Sequence, residues 1–84
     1  MYQLKIIPAA RKDLDNLPRK LFEAVKTAIL SPAENPRPPG CLKLSDEEDG
    51  YRIRVRDIRM LYRIKEKTKE VIIYRVKHRR EVYR

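Results

Sequence analysis

Three short segments with alternating side chains follow one another in residues 51–77, YRIRVRDIRMLYRIKEKTKEVIIYRVK. Alternation with a period of two is typical of β-strands that bury one face and expose the other. The connections, near Asp57 and at residues 66–69, are only a few residues long. Because parallel strands need a long crossover, these three strands are predicted to pair antiparallel.

The pattern also predicts which side chains share a face. In the first two strands, apolar residues alternate with cations in a regular way. In the third strand, apolar residues occur on both faces. The predicted groupings are Tyr51, Ile53 and Val55; Met60, Tyr62 and Ile64; Ile72, Tyr74 and Val76; and, opposite the last group, Val71, Ile73, Arg75 and Lys77.

The segments before residue 51 predict a strand and two helices. Residues 2–7 alternate as a first strand, and a helix is predicted from Pro8. A second helix follows Pro18 and is predicted to stop at Ser31 and Pro32. Residues 31–41 are rich in proline and predict a loop, residues 41–44 suit a short strand, and residues 46–50 suit an acidic turn. The prediction is one α+β domain over residues 1–84, with an N-terminal strand and an αα-hairpin packed on one face of a small antiparallel sheet.

The formal net charge of +9 lies entirely in residues 51–84, where 13 Lys/Arg face four Asp/Glu. Residues 1–50 contain eight of each sign and are neutral. This asymmetry indicates a polyanionic partner, most simply nucleic acid. A single cysteine and a single histidine favour a reduced, cytoplasmic protein without a disulfide or a metal site. Without a glycine-rich phosphate loop or a long apolar segment, the sequence predicts no cofactor and no membrane association.

The basic residues of the strands fall on one predicted face. Arg52, Arg54 and Arg56 share a face of the first strand, and Arg59 joins them if the first two strands pair at the tight turn. Like charges directly opposite one another destabilise a sheet, so their presence indicates a use for the concentrated field. Guanidinium groups suit RNA or DNA, and they also suit an anionic phosphoryl transition state. The alternative is a solvated face that only keeps the protein soluble.

Two motifs, at residues 51–62 and 76–83, resemble those of the RelE toxins of bacterial and archaeal toxin–antitoxin modules, within the wider RelE/ParE superfamily. The resemblance extends over essentially the whole chain. It implies a ribosome-dependent endoribonuclease that cuts mRNA in the ribosomal A site and so inhibits translation. In such toxins the RNA 2′-OH attacks the adjacent phosphate without a metal.

The resemblance also implies roles for individual residues. Well-studied members have lysines at the positions of Arg52 and Arg54, and an arginine, unlike a lysine, does not give up its proton. His78 is therefore the best candidate for the general base, and Glu81 is a weaker one. The implied catalytic residues are Arg52 and Arg54 near the 2′-OH and phosphate, Arg59 on the phosphate, His78, Arg79 at the transition state or leaving group, and Tyr83 stacked on the substrate. The predicted RNA- and ribosome-binding residues are Arg56, Arg63, Arg75, Lys77 and Arg80.

The implied partners are a RelB-like antitoxin, the ribosome and mRNA, with operator DNA as a further partner through the antitoxin complex. Leu61, Val71 and Ile73 are predicted to be exposed on the face opposite the helices, where an antitoxin helix or strand would dock. Two other functions fit the same sequence. One is a ParE-like toxin that inhibits gyrase without nuclease activity, and the other is a non-catalytic nucleic-acid-binding module.

Overall fold

The computed structural model describes residues 2–45 and 49–78. In chain order its elements are β1 (Gln3–Ile6), α1 (Pro8–Asp15), α2 (Arg19–Glu34), β2 (Leu42–Lys43), β3 (Gly50–Val55), β4 (Ile58–Lys65) and β5 (Glu70–His78). The strands form one sheet in the order β1-β5-β4-β3-β2. The α+β class is confirmed. The sheet is mixed, because β1 pairs parallel with β5 across a long connection while β2 to β5 pair antiparallel.

The second helix is longer than the sequence predicts. α2 continues beyond Pro32, so the prediction that Ser31 and Pro32 end it is wrong. Pro32 and Ala33 are buried, and the N–H of Asn35 donates to the carbonyl of Ser31 at 2.9 Å, which keeps the last turn closed. The burial of these residues offsets the hydrogen bond that proline cannot donate. Within the described part of the chain, no helix is long and apolar enough to cross a membrane.

The core lies between the two helices and one face of the sheet. The alternation predicted for β3 and β4 is confirmed. The residues of these strands that are buried on this side and belong to the predicted groups are Tyr51, Ile53, Met60, Tyr62 and Ile64. Burial of this contiguous apolar surface is the main force that holds the helices on the sheet. The core residues are Ala10, Leu14, Val25 and Ile29 from the helices and Tyr51, Ile53, Ile58, Met60, Tyr62, Ile64, Val71, Ile73 and Val76 from the strands.

A β-bulge changes the faces of β5. Leu61 of β4 pairs with Arg75, whereas the next residue, Tyr62, pairs with Ile73. Tyr74 is therefore the extra residue of β5 at this register shift. The simple alternation predicted for this strand is broken at that point.

The predicted exposure of Val71 and Ile73 is consequently wrong. Both side chains are 0% exposed and pack in the core, and Val76 is buried beside them. The bulge inserts one residue between Ile73 and Val76, so all three reach the helix side. Leu61 alone of the predicted antitoxin contacts is half-buried on the side away from the helices.

The predicted loop after α2 is anchored to the sheet. The hydroxyl of Tyr62 donates to the carbonyl of Pro36 at 2.8 Å, and its ring stacks with that of Tyr51. Arg37 donates to the hydroxyl of Tyr51 at 3.2 Å and forms an ion pair with Glu66 at 3.0 Å. The loop is therefore held against β3, β4 and the β4–β5 turn by these contacts.

We expect Arg56→Gly to raise the free energy of unfolding by about 0.5–1 kcal/mol, because Arg56 (φ 56°) has a left-handed backbone that glycine adopts without strain. Part of the relief is offset by the backbone entropy of glycine in the unfolded chain. Urea denaturation measures the change. Arg54→Gly, in the interior of β3, is the control and should instead lower the free energy of unfolding. An Arg56→Gly variant less stable than the wild type would contradict the prediction.

Candidate functional site

The side of the sheet away from the helices carries most of its cations. Because neighbouring residues in a strand alternate faces, every core residue of β3 and β4 is flanked by a side chain on this side. We call this side the open face. By the register it includes Arg52, Arg54, Arg59, Leu61, Arg63, Ile72 and Lys77, and Tyr74 joins it through its contact with Arg63.

Three cations lie directly opposite one another across the open face. Arg54 of β3 pairs with Arg59 of β4, and Arg59 pairs on its other side with Lys77 of β5. We call these three residues the cationic row. Directly paired residues in neighbouring strands have Cβ atoms about 4.5–5.5 Å apart, so the three charges are held close together. Among the described residues, Arg54 and Arg59 have no hydrogen bond or ion pair, and Lys77 has no ion pair within 4 Å, although its charge acts on the carboxylate of Asp13.

Arg52 lies beside the cationic row on β3. It pairs with Leu61 on one side and with Leu42 on the other. Its Nη1 atom is buried and makes no hydrogen bond within the described residues. A buried donor without a partner is costly, and an oxygen of a bound phosphate is a suitable partner for it. The sequence prediction that Arg52, Arg54 and Arg59 share one face is therefore supported by the strand register.

The other predicted site residues are spread more widely. Arg56 is exposed in the turn between β3 and β4, at the end of the sheet nearest the cationic row. His78 pairs with the core residue Ile58, so the register assigns it to the helix side rather than to the open face. The strand register thus separates His78 from Arg52, Arg54 and Arg59. Four further residues with predicted roles lie outside the described part of the chain: Arg79, Arg80, Glu81 and Tyr83.

Arg75 is directed away from the cationic row by an aspartate that the sequence analysis did not select. Its Nε and Nη2 atoms donate to Oδ2 and Oδ1 of Asp13 in α1, at 2.8 and 3.3 Å. The same Oδ2 accepts the backbone N–H of Val76 at 2.9 Å, beside the end of β1. The pair neutralises Arg75, which weakens its prediction as a contact for RNA. No sequence motif signals a pair so far apart in the chain.

The Asp13 carboxylate is kept ionised by these contacts. Its partial burial alone would raise its pKa. The hydrogen bonds from Arg75 and from the N–H of Val76, together with the positive charges of Arg75 and Lys77, outweigh burial and lower the pKa of Asp13 below its usual value. Asp13 therefore fixes the C-terminal half of β5 to α1 as long as it is charged.

We expect Asp13→Asn to lower the free energy of unfolding by about 1 kcal/mol at neutral pH, since a half-exposed ion pair is screened by water. The folded-state pKa of Asp13 lies below its unfolded-state value of about 4. Its contribution is fully present above the unfolded-state pKa and is lost as the pH falls through the folded-state pKa. Urea denaturation measures the free energy of unfolding at pH 7 and at about pH 2–3, below the reference pKa of an aspartate. The decrease between these two pH values should be smaller in Asp13→Asn than in the wild type.

The control for this measurement is Asp15→Asn, which changes the same charge at an exposed position of the same helix. It should follow the wild-type curve. If Asp13→Asn lost stability in acid as steeply as the wild type, the Asp13–Arg75 contact would not stabilise the fold.

Comparisons with known proteins agree with the geometry. Residues 4–83 match the sequence model of the ParE toxin of the type II toxin–antitoxin system, parDE. The chain is similar to a structure of the RelBE2 toxin–antitoxin complex from Mycobacterium tuberculosis, with 30% identity, a TM-score of 0.81, and coverage of 93% of this chain and 98% of that one. Among curated proteins, no sequence matches significantly.

Two further structures show the same fold. The isolated RelE toxin from E. coli has 28% identity and a TM-score of 0.82, covering 99% of this chain and 92% of that one. The archaeal RelE–RelB complex from Pyrococcus horikoshii has 28% identity and a TM-score of 0.81, covering 93% and 94%. The family match extends over nearly the whole chain, including all five strands and both helices. The chain therefore belongs to the ParE toxin family of type II toxin–antitoxin systems and has the fold of the RelE toxins.

Proposed function

We propose that this toxin is a ribosome-dependent, metal-independent endoribonuclease that cleaves mRNA in the ribosomal A site and thereby inhibits translation in the cytoplasm. The observation that supports it best is the cationic row, Arg54, Arg59 and Lys77, on the open face of the sheet. Three cations in register, of which Arg54 and Arg59 have no ion pair among the described residues, destabilise the sheet and favour a bound phosphate. The fold shared with RelE toxins is consistent with this activity.

The proposed reaction transfers the phosphoryl group within the RNA strand. The 2′-oxygen forms a bond to the adjacent phosphorus, and the bond from phosphorus to the 5′-oxygen of the next nucleotide breaks. The 2′-hydroxyl loses its proton, and the leaving 5′-oxygen gains one. Negative charge grows on the phosphate oxygens in the transition state, where fixed donors stabilise it more than they stabilise the substrate. Arg54 and Arg59 of the row, with the buried Nη1 of Arg52 beside them, are suited to that role.

His78 remains a proposed residue for proton transfer, and the register adds a second candidate. The arginines stay protonated, and the register assigns His78 to the helix side. Lys77 lies directly opposite Arg59 and is the only lysine of the cationic row. We therefore propose Lys77, beside His78, as a candidate for proton transfer. Arg79 and Tyr83 keep the roles that the resemblance implies.

The proposed partners are a RelB-like antitoxin, the ribosome and its mRNA, and operator DNA through the antitoxin complex. Two of the similar structures are complexes of a RelE or RelBE toxin with its antitoxin, which supports the first of these. Leu61 remains a proposed antitoxin contact because it is half-buried on the open face. An antitoxin that covers Leu61 would also cover Arg52, its direct cross-strand neighbour, and so block the proposed site.

Toe-print mapping of an mRNA in a purified translation mixture tests this function. Cleavage is expected within the A-site codon when ribosomes are present, and no cleavage is expected when they are omitted. Steeply salt-dependent RNA binding with no cleavage under either condition would instead indicate a nucleic-acid-binding module.

The family match itself supports a second candidate, inhibition of DNA gyrase, because the matching model is that of ParE toxins. Such a toxin would act without nuclease chemistry, and the cationic row would serve only to bind. A DNA supercoiling assay separates the two functions. Inhibition of supercoiling together with intact mRNA in the translation mixture would favour the gyrase inhibitor.

A further inference from the structure

An arginine and a tyrosine are stacked on the open face, away from the cationic row. The guanidinium carbon of Arg63 lies 4.9 Å from the centre of the Tyr74 ring. Tyr74 is the residue that the β-bulge inserts, and it lies diagonally across from Arg63, whose direct partner on β5 is Ile72. Neither residue is fully buried, and the Arg63 side chain is 43% exposed. The bulge thus places an aromatic ring beneath a solvent-accessible guanidinium.

The ring determines how Arg63 can be used. Arg63 also lies near Asp49, but at 4.0 Å, while the other Asp49 oxygen binds Lys65 at 2.6 Å. The Tyr74 ring therefore adds a cation–π contact to the ion-pair contact that Arg63 makes with Asp49. A planar guanidinium with one side over a ring has a second side on which a nucleobase can stack, and single-stranded RNA is commonly recognised through such stacking.

The open face has two chemically different ends. The cationic row lies at the end next to the β3–β4 turn, whereas Arg63 and Tyr74 lie beside the apolar side chains of Ile72 and Leu61. Arg59 and Arg63 are four residues apart on β4, which corresponds to about 13 Å. A phosphate at the row and a base at Arg63 therefore belong to different nucleotides of one strand.

We propose that Arg63 and Tyr74 form a base-stacking site for single-stranded RNA, separate from the cationic row. Arg63 contacts the base, and Tyr74 is a positioning residue that holds the guanidinium flat. This inference rests on one part of the proposed function, namely that RNA binds the open face. It requires no cleavage, so it can be tested on RNA that cannot be cut.

The test compares two single-stranded probes of equal length, a 2′-O-methyl RNA and its abasic counterpart with the same phosphates. Arg63→Lys keeps the charge but loses the planar group. Arg63→Lys should bind the RNA about tenfold more weakly than the wild type does, which is the usual effect of losing one stacked base. It should bind the abasic strand with the same affinity as the wild type. Tyr74→Ala should show the same selective loss, and Tyr74→Phe, which keeps the ring, should bind both probes normally. Thermal unfolding checks that each variant is folded.

Arg63→Lys is a surface substitution, so the result does not depend on whether Tyr74→Ala folds well. Equal weakening for both probes, or no weakening for either, would overturn the base-stacking site. Arg59→Ala distinguishes base stacking at Arg63 from phosphate binding at the cationic row, on which the proposed nuclease function depends. It should weaken both probes alike and leave the ratio of their affinities unchanged. A wild-type protein that fails to cleave mRNA but prefers RNA to the abasic strand would contradict the nuclease and leave the stacking site supported.

Discussion

Arg59→Ala is expected to lower the rate of mRNA cleavage on the ribosome by ~10²–10³-fold, the usual effect of removing one preorganised donor from a developing oxyanion. Arg59 is the middle residue of the cationic row, with Arg54 on one side and Lys77 on the other. A phosphate bound to Arg59 would therefore lie close to the other two cations as well. The measurement is the initial rate of A-site cleavage in a purified translation mixture at saturating ribosome concentration.

The loss of activity should not be accompanied by a loss of stability. Removing one of three adjacent like charges relieves repulsion across the sheet, so the thermal midpoint of Arg59→Ala should stay close to that of the wild type. Arg19→Ala is the matched control, because it removes the same charge from an exposed position at the start of α2. It should cleave normally. Equal rates for Arg59→Ala and the wild type would show that the row does not stabilise the transition state.

The pairing of Arg54 with Arg59 in the cationic row was predictable from the sequence because it depends on one tight turn. Once Arg56 and Asp57 are recognised as the connection, Val55 must pair with Ile58, and Arg54 must then pair with Arg59. The face that these arginines occupy follows from the apolar residues that alternate with them. Turn length and alternation are local properties, and they were sufficient for β3 and β4.

The faces of β5 were not predictable in the same way. Val71, Ile72, Ile73 and Tyr74 are all apolar or aromatic, so alternation does not reveal which of them face the core. The choice is made by the helices, which bury Val71 and Ile73, and by the bulge at Tyr74. These are tertiary effects that depend on residues far away in the chain.

Two consequences of this tertiary packing changed the interpretation of the site. The bulge brought Tyr74 to Arg63, which produced a stacked pair that no motif indicates. The contact with Asp13 took Arg75 to the edge of the sheet, although simple strand alternation placed it with the basic residues. The site was thus predictable where it depends on hairpin register and unpredictable where it depends on contacts between α1 and β5.

The buried position of Ile73 leads to the second large expected effect. Ile73→Ala should lower the free energy of unfolding by about 3–4 kcal/mol, since it removes a fully buried side chain and leaves a cavity between the helices and the sheet. A typical domain has a free energy of unfolding of about 5–15 kcal/mol, and a chain this small is expected near the lower end of that range. The loss is therefore a large part of the total. Urea denaturation followed by circular dichroism measures the loss.

Leu61→Ala is the matched control, because it also truncates a large aliphatic side chain in the middle of a strand but on the open face. It should cost no more than about 1 kcal/mol. The same two variants also distinguish two causes of weaker antitoxin binding. If Ile73→Ala weakens antitoxin binding, it does so through loss of the fold, whereas an effect of Leu61→Ala reports a contact on the surface. Equal losses of stability in the two variants would contradict the strand register described for β4 and β5, and with it the assignment of Lys77 to the cationic row.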